Sequence, residues 1–421
     1  MNKLFNYKAF LALIILILTP VDFFFPSANL LREAGAKPLN LFIILFLFIY
    51  ILITGKVHPR ELKYKIHINR YLYSILFFGT FAFFFNIFYF DYPLSNRTPE
   101  FQFFSQFLMF FLFILVFNCL KFILSNTEIR LLILKILPLA VFIHLSIFIL
   151  EYLNIYNPDN PSFLRFFRNS AGLIDRASGL MSEPAYFGTF AGLFIFPLLL
   201  LCRQKRALNL IMAFALAFFS VTIQAKTFFI VILMQVLYFI LGLKKSFKIK
   251  IISGFLILIL LIAGLYIVNT SLVFNVDENL SSAMRLGSNL LALNVATSGY
   301  GLLGIGFGQF HFFYTPEFSP NFLMFSKEAL DQMNNVNDSR ASTFSLPLRL
   351  LVETGIFGFI TSVMLIYGLF KKFHTSKDPV TQLGMFFIFG SIGFLLTQDS
   401  YCLPSLALGL ALVCTQPQLK S

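Results

Sequence analysis

Apolar stretches recur along the whole chain and are separated by short polar segments. Most contain roughly 15–25 residues, enough for a helix to cross ~30 Å of hydrocarbon at about 1.5 Å per residue. We predict twelve spans, at 9–25, 39–54, 71–90, 101–120, 131–150, 184–202, 208–224, 227–243, 251–269, 346–370, 380–397 and 402–416. The pattern predicts an all-α polytopic membrane protein with a single integral membrane domain over 1–421, because a β-barrel would show short alternating segments instead.

Composition agrees with this fold class. Of the 421 residues, 58% are hydrophobic and 12% are charged, which is about half the charged fraction of soluble chains. Intrinsic disorder is excluded, since disordered chains combine low hydrophobicity with high charge. Residues 1–25 have the charged and apolar parts of a signal peptide. We interpret them as an uncleaved first span because no convincing cleavage site follows.

Charged residues divide into two groups when the spans place successive loops on alternate sides. The side with both termini carries 21 basic and 3 acidic residues, and the other side carries 11 basic and 16 acidic residues. Because cytoplasmic loops are enriched in Lys and Arg, we predict that both termini are cytoplasmic. Membrane topology thus accounts for the net charge of +13, and nucleic acid is not an expected partner.

Two predicted periplasmic loops, 151–183 and 270–345, are long. Loops beyond about 15 residues are usually functional or disordered, and no Ser/Gly-rich linker indicates disorder here. Their charges are either ordinary solvated residues or parts of one site built from both loops. The four cysteines lack metal-binding spacing, and no HExxH, Walker A or zinc motif is present. We therefore predict neither a metal nor a cofactor.

The first candidate stretch runs from Asp175 to Gly188 and contains Arg176 and Glu183-Pro184. Ser182 is suited to an N-cap and Pro184 to the first turn of the sixth span. One interpretation is a capped helix whose Glu183 is stabilised by the helix dipole. The other is an anion site at the free N–H groups of the helix start.

The second stretch combines an amphipathic helix at 281–293 with a glycine-rich turn at 301–311. Met284 and Leu291 are predicted to lie against the membrane surface. Gly304 and Gly306 permit tight turns and close backbone approach. The glycines of 301–308 do not form a GxGxxG nucleotide fingerprint, and no strand is predicted before them. This is either a turn beside an interfacial helix or a site where exposed N–H groups and Arg285 hold a phosphate.

The third stretch, 334–358, contains Asp338, Arg340, Arg349 and Glu353. Arg349 and Glu353 are four residues apart and share a helix face. Glu353 lies roughly 10 Å along its span, where an acid must face protein or water. The pair is either a structural link or the border of a polar cavity that opens outward.

Three further residues have both a structural and a functional interpretation. Lys226 lies in a tight apolar hairpin, where it either contacts an anion or reaches solvent. His311 is a candidate proton carrier or a solvated loop residue. His144 lies in the middle of a span, and we expect a hydrogen-bonded core residue there.

Taken together and in this order, these stretches resemble the O-antigen polymerase and ligase superfamily. The resemblance lies in Arg176…Gly179…Glu183-Pro184, in Arg285 followed by Leu303-Gly304-Ile-Gly306-Phe-Gly308, and in Leu348…Leu351…Glu353-Thr-Gly355-Ile-Phe-Gly358. It implies a GT-C-like membrane fold with two long periplasmic loops. It further implies a metal-independent glycosyltransferase that joins undecaprenyl-pyrophosphate-linked oligosaccharides at the periplasmic face of the bacterial inner membrane.

Two departures separate this chain from the ligases of that superfamily. Phe344 and Ser345 stand where ligases usually have a His-Asn pair. The hairpin that often carries Ser-Arg has Ala225-Lys226, which keeps the charge but loses the bidentate fork of arginine. The resemblance therefore favours a polymerase, with an O-antigen ligase as the alternative and a lipid-linked oligosaccharide flippase as the non-enzymatic one.

The polymerase reaction would release a diphosphate, whose developing charge is stabilised by preorganised cations. We predict that the substrate-binding residues are Arg176, Arg285, Arg340, Lys226, Arg349, Glu353, Gly304 and Gly306. The candidates for the base that takes the acceptor proton are Glu183, Asp338 and His311. Expected partners are the lipid-linked substrates, membrane lipid, a chain-length regulator and a flippase.

Overall fold

The structure is a computed structural model. It describes residues 7–22, 37–54, 67–88, 98–153, 177, 180–181, 183–202, 205–223, 225–242, 280–314, 318 and 343–416. This part of the chain is built from twelve α-helices and one short 3₁₀ helix, and it contains no β-strand. The all-α prediction is therefore confirmed for the described residues.

The α-helices are numbered in chain order. They are α1 (Tyr7–Leu18), α2 (Pro38–Thr54), α3 (Ile68–Asn86), α4 (Pro99–Leu124), α5 (Thr127–Tyr152), α6 (Pro184–Leu200), α7 (Arg206–Thr222), α8 (Lys226–Gly242), α9 (Leu280–Thr297), α10 (Leu346–Phe373), α11 (Pro379–Leu395) and α12 (Pro404–Cys414). The 3₁₀ helix is Phe310–Phe313.

Eleven of the predicted spans overlap a helix, and the twelfth, 251–269, lies outside the described residues. Four helices, α3, α4, α5 and α10, are long and apolar enough to cross a membrane, and seven more are apolar but contain 10–17 residues. The remaining helix, α9, coincides with the predicted amphipathic segment. These helices are compatible with a multi-pass membrane protein.

Three of the described helices begin directly after a polar residue whose side chain caps them. Thr98 and Asp378 cap helices that start at Pro99 and Pro379, and the Asn126 side chain accepts the Glu128 N–H at 3.0 Å. Such caps satisfy amide groups that have no partner within the helix. α6 begins at Pro184 as predicted. The expectation that Ser182 is the N-cap is wrong, because Glu183 occupies the N-cap position and makes no side-chain cap bond.

The core is centred on α11, which packs against α6, α8 and α12. α11 and α12 approach closely because glycines face each other: a Cβ on Gly384 would meet the Gly409 carbonyl oxygen at 2.8 Å. Small residues at such contacts let helix backbones pack closely in membranes. The bundle periphery instead exposes many large apolar side chains, Phe77 and Phe214 among them.

The prediction for His144 is confirmed within the core, and the cysteines lie in or against the same core. All four cysteines are free thiols. His144 is buried, and its Nε2 lies 3.0 Å from the Ile17 carbonyl oxygen. Both observations fit residues that contribute to packing.

Candidate functional site

The backbone of α10 is broken at Gly355, where φ is 68° and ψ is −177°. This conformation is essentially restricted to glycine. The glycine-rich segment 301–308 packs against the break. The N–H groups of Ile305 and Gly306 donate to the Val352 and Glu353 carbonyls at 2.8 and 2.9 Å, and the Ile356 N–H donates to the Gly301 carbonyl at 2.9 Å. The segment therefore supplies partners for backbone groups that a broken helix leaves open.

The close contact between these segments depends on glycine at both positions. A Cβ on Gly304 would lie 2.5 Å from the Gly355 backbone nitrogen, and a Cβ on Gly355 would lie 2.5 Å from the Leu303 carbonyl carbon. The Asn86 side-chain amide also donates to the Gly304 carbonyl oxygen at 2.8 Å. The predicted close backbone approach at this turn is confirmed.

The second expectation for this turn, N–H groups exposed to a phosphate, is not met at Gly304 and Gly306. The Gly304 N–H donates to the Tyr300 carbonyl at 2.7 Å, and the Gly306 N–H donates to Glu353 as described above. Backbone pairing, with Tyr300 for Gly304 and with α10 for Gly306, uses the donors that a ligand would need. In this structure, these two glycines therefore join two segments of the protein.

Beside the break lies a cluster of four polar side chains. Arg349 Nε donates to Glu353 Oε1 at 3.0 Å, and its Nη1 donates to Asp399 Oδ2 at 2.8 Å. The Tyr401 hydroxyl donates to Glu353 Oε2 at 2.5 Å. The Arg349 guanidinium carbon also lies 4.4 Å from the centroid of the Tyr401 ring, a cation–π contact. The predicted pairing of Arg349 and Glu353 is confirmed.

The cluster combines one guanidinium with two acidic side chains. Glu353 is fully buried, whereas the Arg349 and Asp399 side chains are 12% and 18% exposed. Burial and the nearby Glu353 raise the pKa of Tyr401 well above its usual range, so its hydroxyl remains a donor. An anionic ligand at Arg349 would have to displace one of these carboxylates.

The cluster continues towards α9 and the 3₁₀ helix. Tyr314 forms a side-chain hydrogen bond with Ser288. Burial raises the pKa of Tyr314, and the charge of Asp399 raises it further. Leu291 is buried in a small apolar cluster with Phe310 and Val352. The prediction that Leu291 faces the membrane surface is therefore wrong, because this face of α9 packs on α10.

His311 is buried beside the glycine-rich segment and is not a solvated loop residue. Its Nδ1 lies 3.0 Å from the Gly308 carbonyl oxygen. A base in this position would need a substrate group to reach into the protein, since a proton transfer requires hydrogen-bond contact.

Glu183 and Lys226 lie at the same end of neighbouring helices. The Thr227 hydroxyl donates to the Ala185 carbonyl at 2.5 Å, and a Cβ on Gly188 would meet Ala225 Cβ at 2.5 Å. Glu183 and Lys226 are both exposed at these helix starts. The structure thus brings an acid and a cation from separate predicted stretches to one end of the α6–α8 pair.

The loop between α11 and α12 connects this region to the arginine cluster. Lys37, just before α2, donates to the Ser400 hydroxyl and to the Cys402 carbonyl oxygen at 2.8 Å. Lys37 and Tyr186 line a cavity of about 20 Å³, room for about one water molecule. Lys37, which precedes α2, and Arg349 of α10 therefore both contact this loop.

Sequence reasoning did not find Lys37, Asp399 or Tyr401. Residues 398–401 are all polar and connect two apolar spans in a very short hairpin. This is the same kind of signal that drew attention to Lys226. The partners of these residues could not be inferred because they are distant in sequence.

Four predicted residues are described incompletely or not at all. Arg176, Asp338 and Arg340 lie outside the described residues. Arg285 lies in α9, three residues before Ser288, and its side chain is outside the described part. The predicted gathering of arginines around a diphosphate therefore stays a prediction. Among the described residues, no group of three or more His, Cys, Asp or Glu could hold a metal ion.

Comparisons with protein-family models, with curated proteins and with solved structures found no match for this chain.

Proposed function

We propose that the protein is an O-antigen or surface-polysaccharide polymerase, which joins undecaprenyl-pyrophosphate-linked repeat units at the periplasmic face of the bacterial inner membrane. The proposal includes twelve transmembrane helices, a GT-C-like arrangement and cytoplasmic termini. Its topology is based on the asymmetric distribution of Lys and Arg.

The main support is the contact between two segments that carry the resemblance. Residues 301–308 and the Glu353-Thr-Gly355 break are joined through backbone hydrogen bonds of 2.8 and 2.9 Å. A buried ionisable cluster and a glycine-only backbone conformation occur at this contact. Both features are costly in a membrane protein and tend to mark functional positions.

In the proposed reaction, an acceptor hydroxyl attacks the anomeric carbon of the lipid-linked chain. The bond from that carbon to the diphosphate breaks, and undecaprenyl pyrophosphate leaves with the electron pair. Arg176, Arg285, Arg340 and Lys226 are the proposed ligands of the diphosphate, in line with the general role of cations at a leaving group.

Glu183 is the proposed base that receives the acceptor proton, with Asp338 and His311 as the other candidates. Glu183 is exposed at a helix start, whereas His311 is buried. The Arg349–Glu353–Asp399 cluster is proposed to position the segments around the site, since its guanidinium is already paired with two carboxylates.

The decisive experiment uses the purified full chain in proteoliposomes that contain lipid-linked repeat units. A polymerase produces a ladder of longer glycans on a gel. Arg285→Ala and Arg176→Ala should each abolish the long products, and Arg206→Ala, an exposed residue at the start of α7, is the matched control. Wild-type chain lengths in both test variants would overturn the cationic site.

The two alternative functions give different products in the same system. A flippase would translocate the repeat unit without forming a glycosidic bond. A ligase would transfer glycan only when lipid A core is supplied, and a gene deletion would leave no repeat units on the core. A polymerase deletion should instead retain single repeats on the core.

A further inference from the structure

A separate crevice lies between the beginning of α3 and the end of α10. It has a volume of about 390 Å³ and is lined by Tyr71, Leu365, Gly368, Lys371 and Lys372. The four lining residues of α10 follow helical spacing and form one stripe. The crevice is far along α10 from the break at Gly355, about 20 Å for thirteen residues at ~1.5 Å each.

Gly368 keeps this stripe open. A Cβ built on Gly368 would meet no heavy atom within 4 Å. Its backbone is ordinary helix, because Gly355 is the only residue inside α10 with non-helical angles. The absence of a side chain at Gly368 therefore enlarges the crevice. The helical backbone at this position does not require glycine.

Positive charge collects around the crevice. Lys371 and Arg70, which precedes Tyr71, are both exposed, and neither has an ion pair with a described residue. Lys372 lines the crevice from the inner side of the stripe. The region therefore attracts an anionic group.

Two described acids lie at this end of the bundle, and both are paired. The described acids Glu128 and Asp378 form ion pairs with Lys8 and Arg130, respectively. None of these four residues lines the crevice. The positive charge at the crevice is therefore not neutralised by these acids.

The surface that continues from the crevice towards the middle of α10 is apolar. Met364 and Tyr367 are 55% and 61% exposed, and Phe357, two turns further, is 48% exposed. Lysines above an exposed apolar helix face match the two chemical parts of a phospholipid. A small soluble anion would have no use for the apolar part.

We propose that this crevice binds an anionic phospholipid. Its phosphate lies at Lys371 and Lys372, and one acyl chain follows the exposed apolar face of α10 past Met364. The proposal is independent of the proposed polymerase function, because it concerns the other end of α10.

The test measures retention of phosphatidylglycerol and phosphatidylcholine by the purified full chain, using native mass spectrometry from mixed micelles. The variants are Lys371→Gln/Lys372→Gln, which removes the charges, and Gly368→Leu, which fills the crevice while keeping both charges. Lys205→Gln/Lys377→Gln is the control, because both residues are exposed and lie outside the crevice.

We expect the wild type to retain phosphatidylglycerol preferentially. The double lysine variant should bind it about 30-fold more weakly, at roughly tenfold per 1.4 kcal/mol and about 1 kcal/mol for each lysine. Gly368→Leu should lose retention with its charges intact, and the control should retain wild-type affinity. If Gly368→Leu does not fold, Gly368→Ala, with an intermediate loss, takes its place.

Three outcomes would overturn the proposal. Equal loss in the control and in the double lysine variant would indicate general charge attraction. Wild-type retention by the Gly368 variants would show that the crevice is not occupied. Full competition by inorganic phosphate would identify a site for a soluble anion and not for a lipid.

Discussion

Two arginine clusters lie at opposite ends of α11, one beside Asp378, which precedes the helix, and one beside Asp399, which follows it. Arg130 pairs with Asp378 and donates to the Thr381 hydroxyl at 2.9 Å and to the Leu412 carbonyl oxygen at 3.3 Å. This cluster balances one cation with one anion, and all its helices are regular at that point. Its carboxylate is also the N-cap of α11.

The Arg349 cluster has the same guanidinium–carboxylate chemistry in a different setting. It has a second carboxylate, that of the fully buried Glu353, and it lies beside a helix break that only glycine can adopt. A buried acidic group and an irregular backbone both raise the free energy of the folded state. The comparison indicates that the Arg130 cluster holds helices together, whereas the Arg349 cluster is retained at a cost, as expected near a functional site.

The largest expected effect is that of removing Arg349. Arg349→Met leaves two neighbouring carboxylates without a cation, one of them fully buried. We expect a loss of about 3–5 kcal/mol in the free energy of unfolding, since breaking a buried ion pair costs that much. Unfolding in detergent can be followed through thiol labelling, because Cys119, Cys202 and Cys402 are buried.

The matching variant is Arg130→Met, for which we expect a loss near the lower end of that range, about 3 kcal/mol. The remaining Asp378 side chain is 23% exposed and keeps the Thr381 N–H at 3.0 Å. Combining Arg349→Met with Glu353→Gln and Asp399→Asn should restore most of the lost stability. Equal losses for the two arginine variants would remove the distinction between the clusters.

The next largest effect concerns the break in α10. Gly355→Ala should destabilise the protein by about 2–4 kcal/mol. The backbone angles at position 355 are strongly unfavourable for alanine, and the added Cβ would clash with the Leu303 backbone. Gly368→Ala is the control in the same helix. That change should be neutral or stabilising by up to about 1 kcal/mol. A similar response at both positions would contradict the special role of the break.

Sequence patterns predicted the helices well and one side-chain contact in the site. Long apolar runs located α6 within two residues at its end, and four-residue spacing predicted the Arg349–Glu353 pair. Both signals are local along the chain. The break at Gly355 was not predicted, because an isolated glycine in an apolar run is also tolerated in a regular helix.

The remaining contacts of the site depend on residues far apart in sequence. Asp399 reaches Arg349 across 50 positions, and the partners of Gly306 and Glu353 are set by backbone pairing between a loop and a helix. Periodicity has no information on such pairing. The polar hairpin at 398–401 is a local signal of a polar contact, but the sequence does not show which helix the hairpin contacts.

A smaller effect is the pH dependence of stability that Asp378 gives to the Arg130 cluster. Burial disfavours the charged form of Asp378, but hydrogen bonds and the charge of Arg130 outweigh it, so the Asp378 pKa is lowered. A lowered pKa gives stability that is present above the unfolded value, about 3.9, and is lost as the pH falls through the folded value. Wild-type stability should therefore drop below about pH 4.

The variant Asp378→Asn should lose about 2–3 kcal/mol at pH 7, because it leaves the buried Arg130 without a carboxylate and weakens the helix cap. It should also show a flatter dependence of stability on pH in the acid range, measured by the same thiol-labelling assay. An unchanged acid slope in this variant would show that other carboxylates dominate acid unfolding.

The smallest expected effect is at a fourth ion pair, which joins Lys8 to Glu128. The Glu128 side chain is 67% exposed, and exposed ion pairs contribute about 0–1 kcal/mol. Lys8→Gln should change the free energy of unfolding by less than about 0.5 kcal/mol, and added salt should reduce even this difference. A loss above about 1 kcal/mol would mean that this pair is desolvated. Burial would then no longer explain why Arg130 and Arg349 matter more than Lys8.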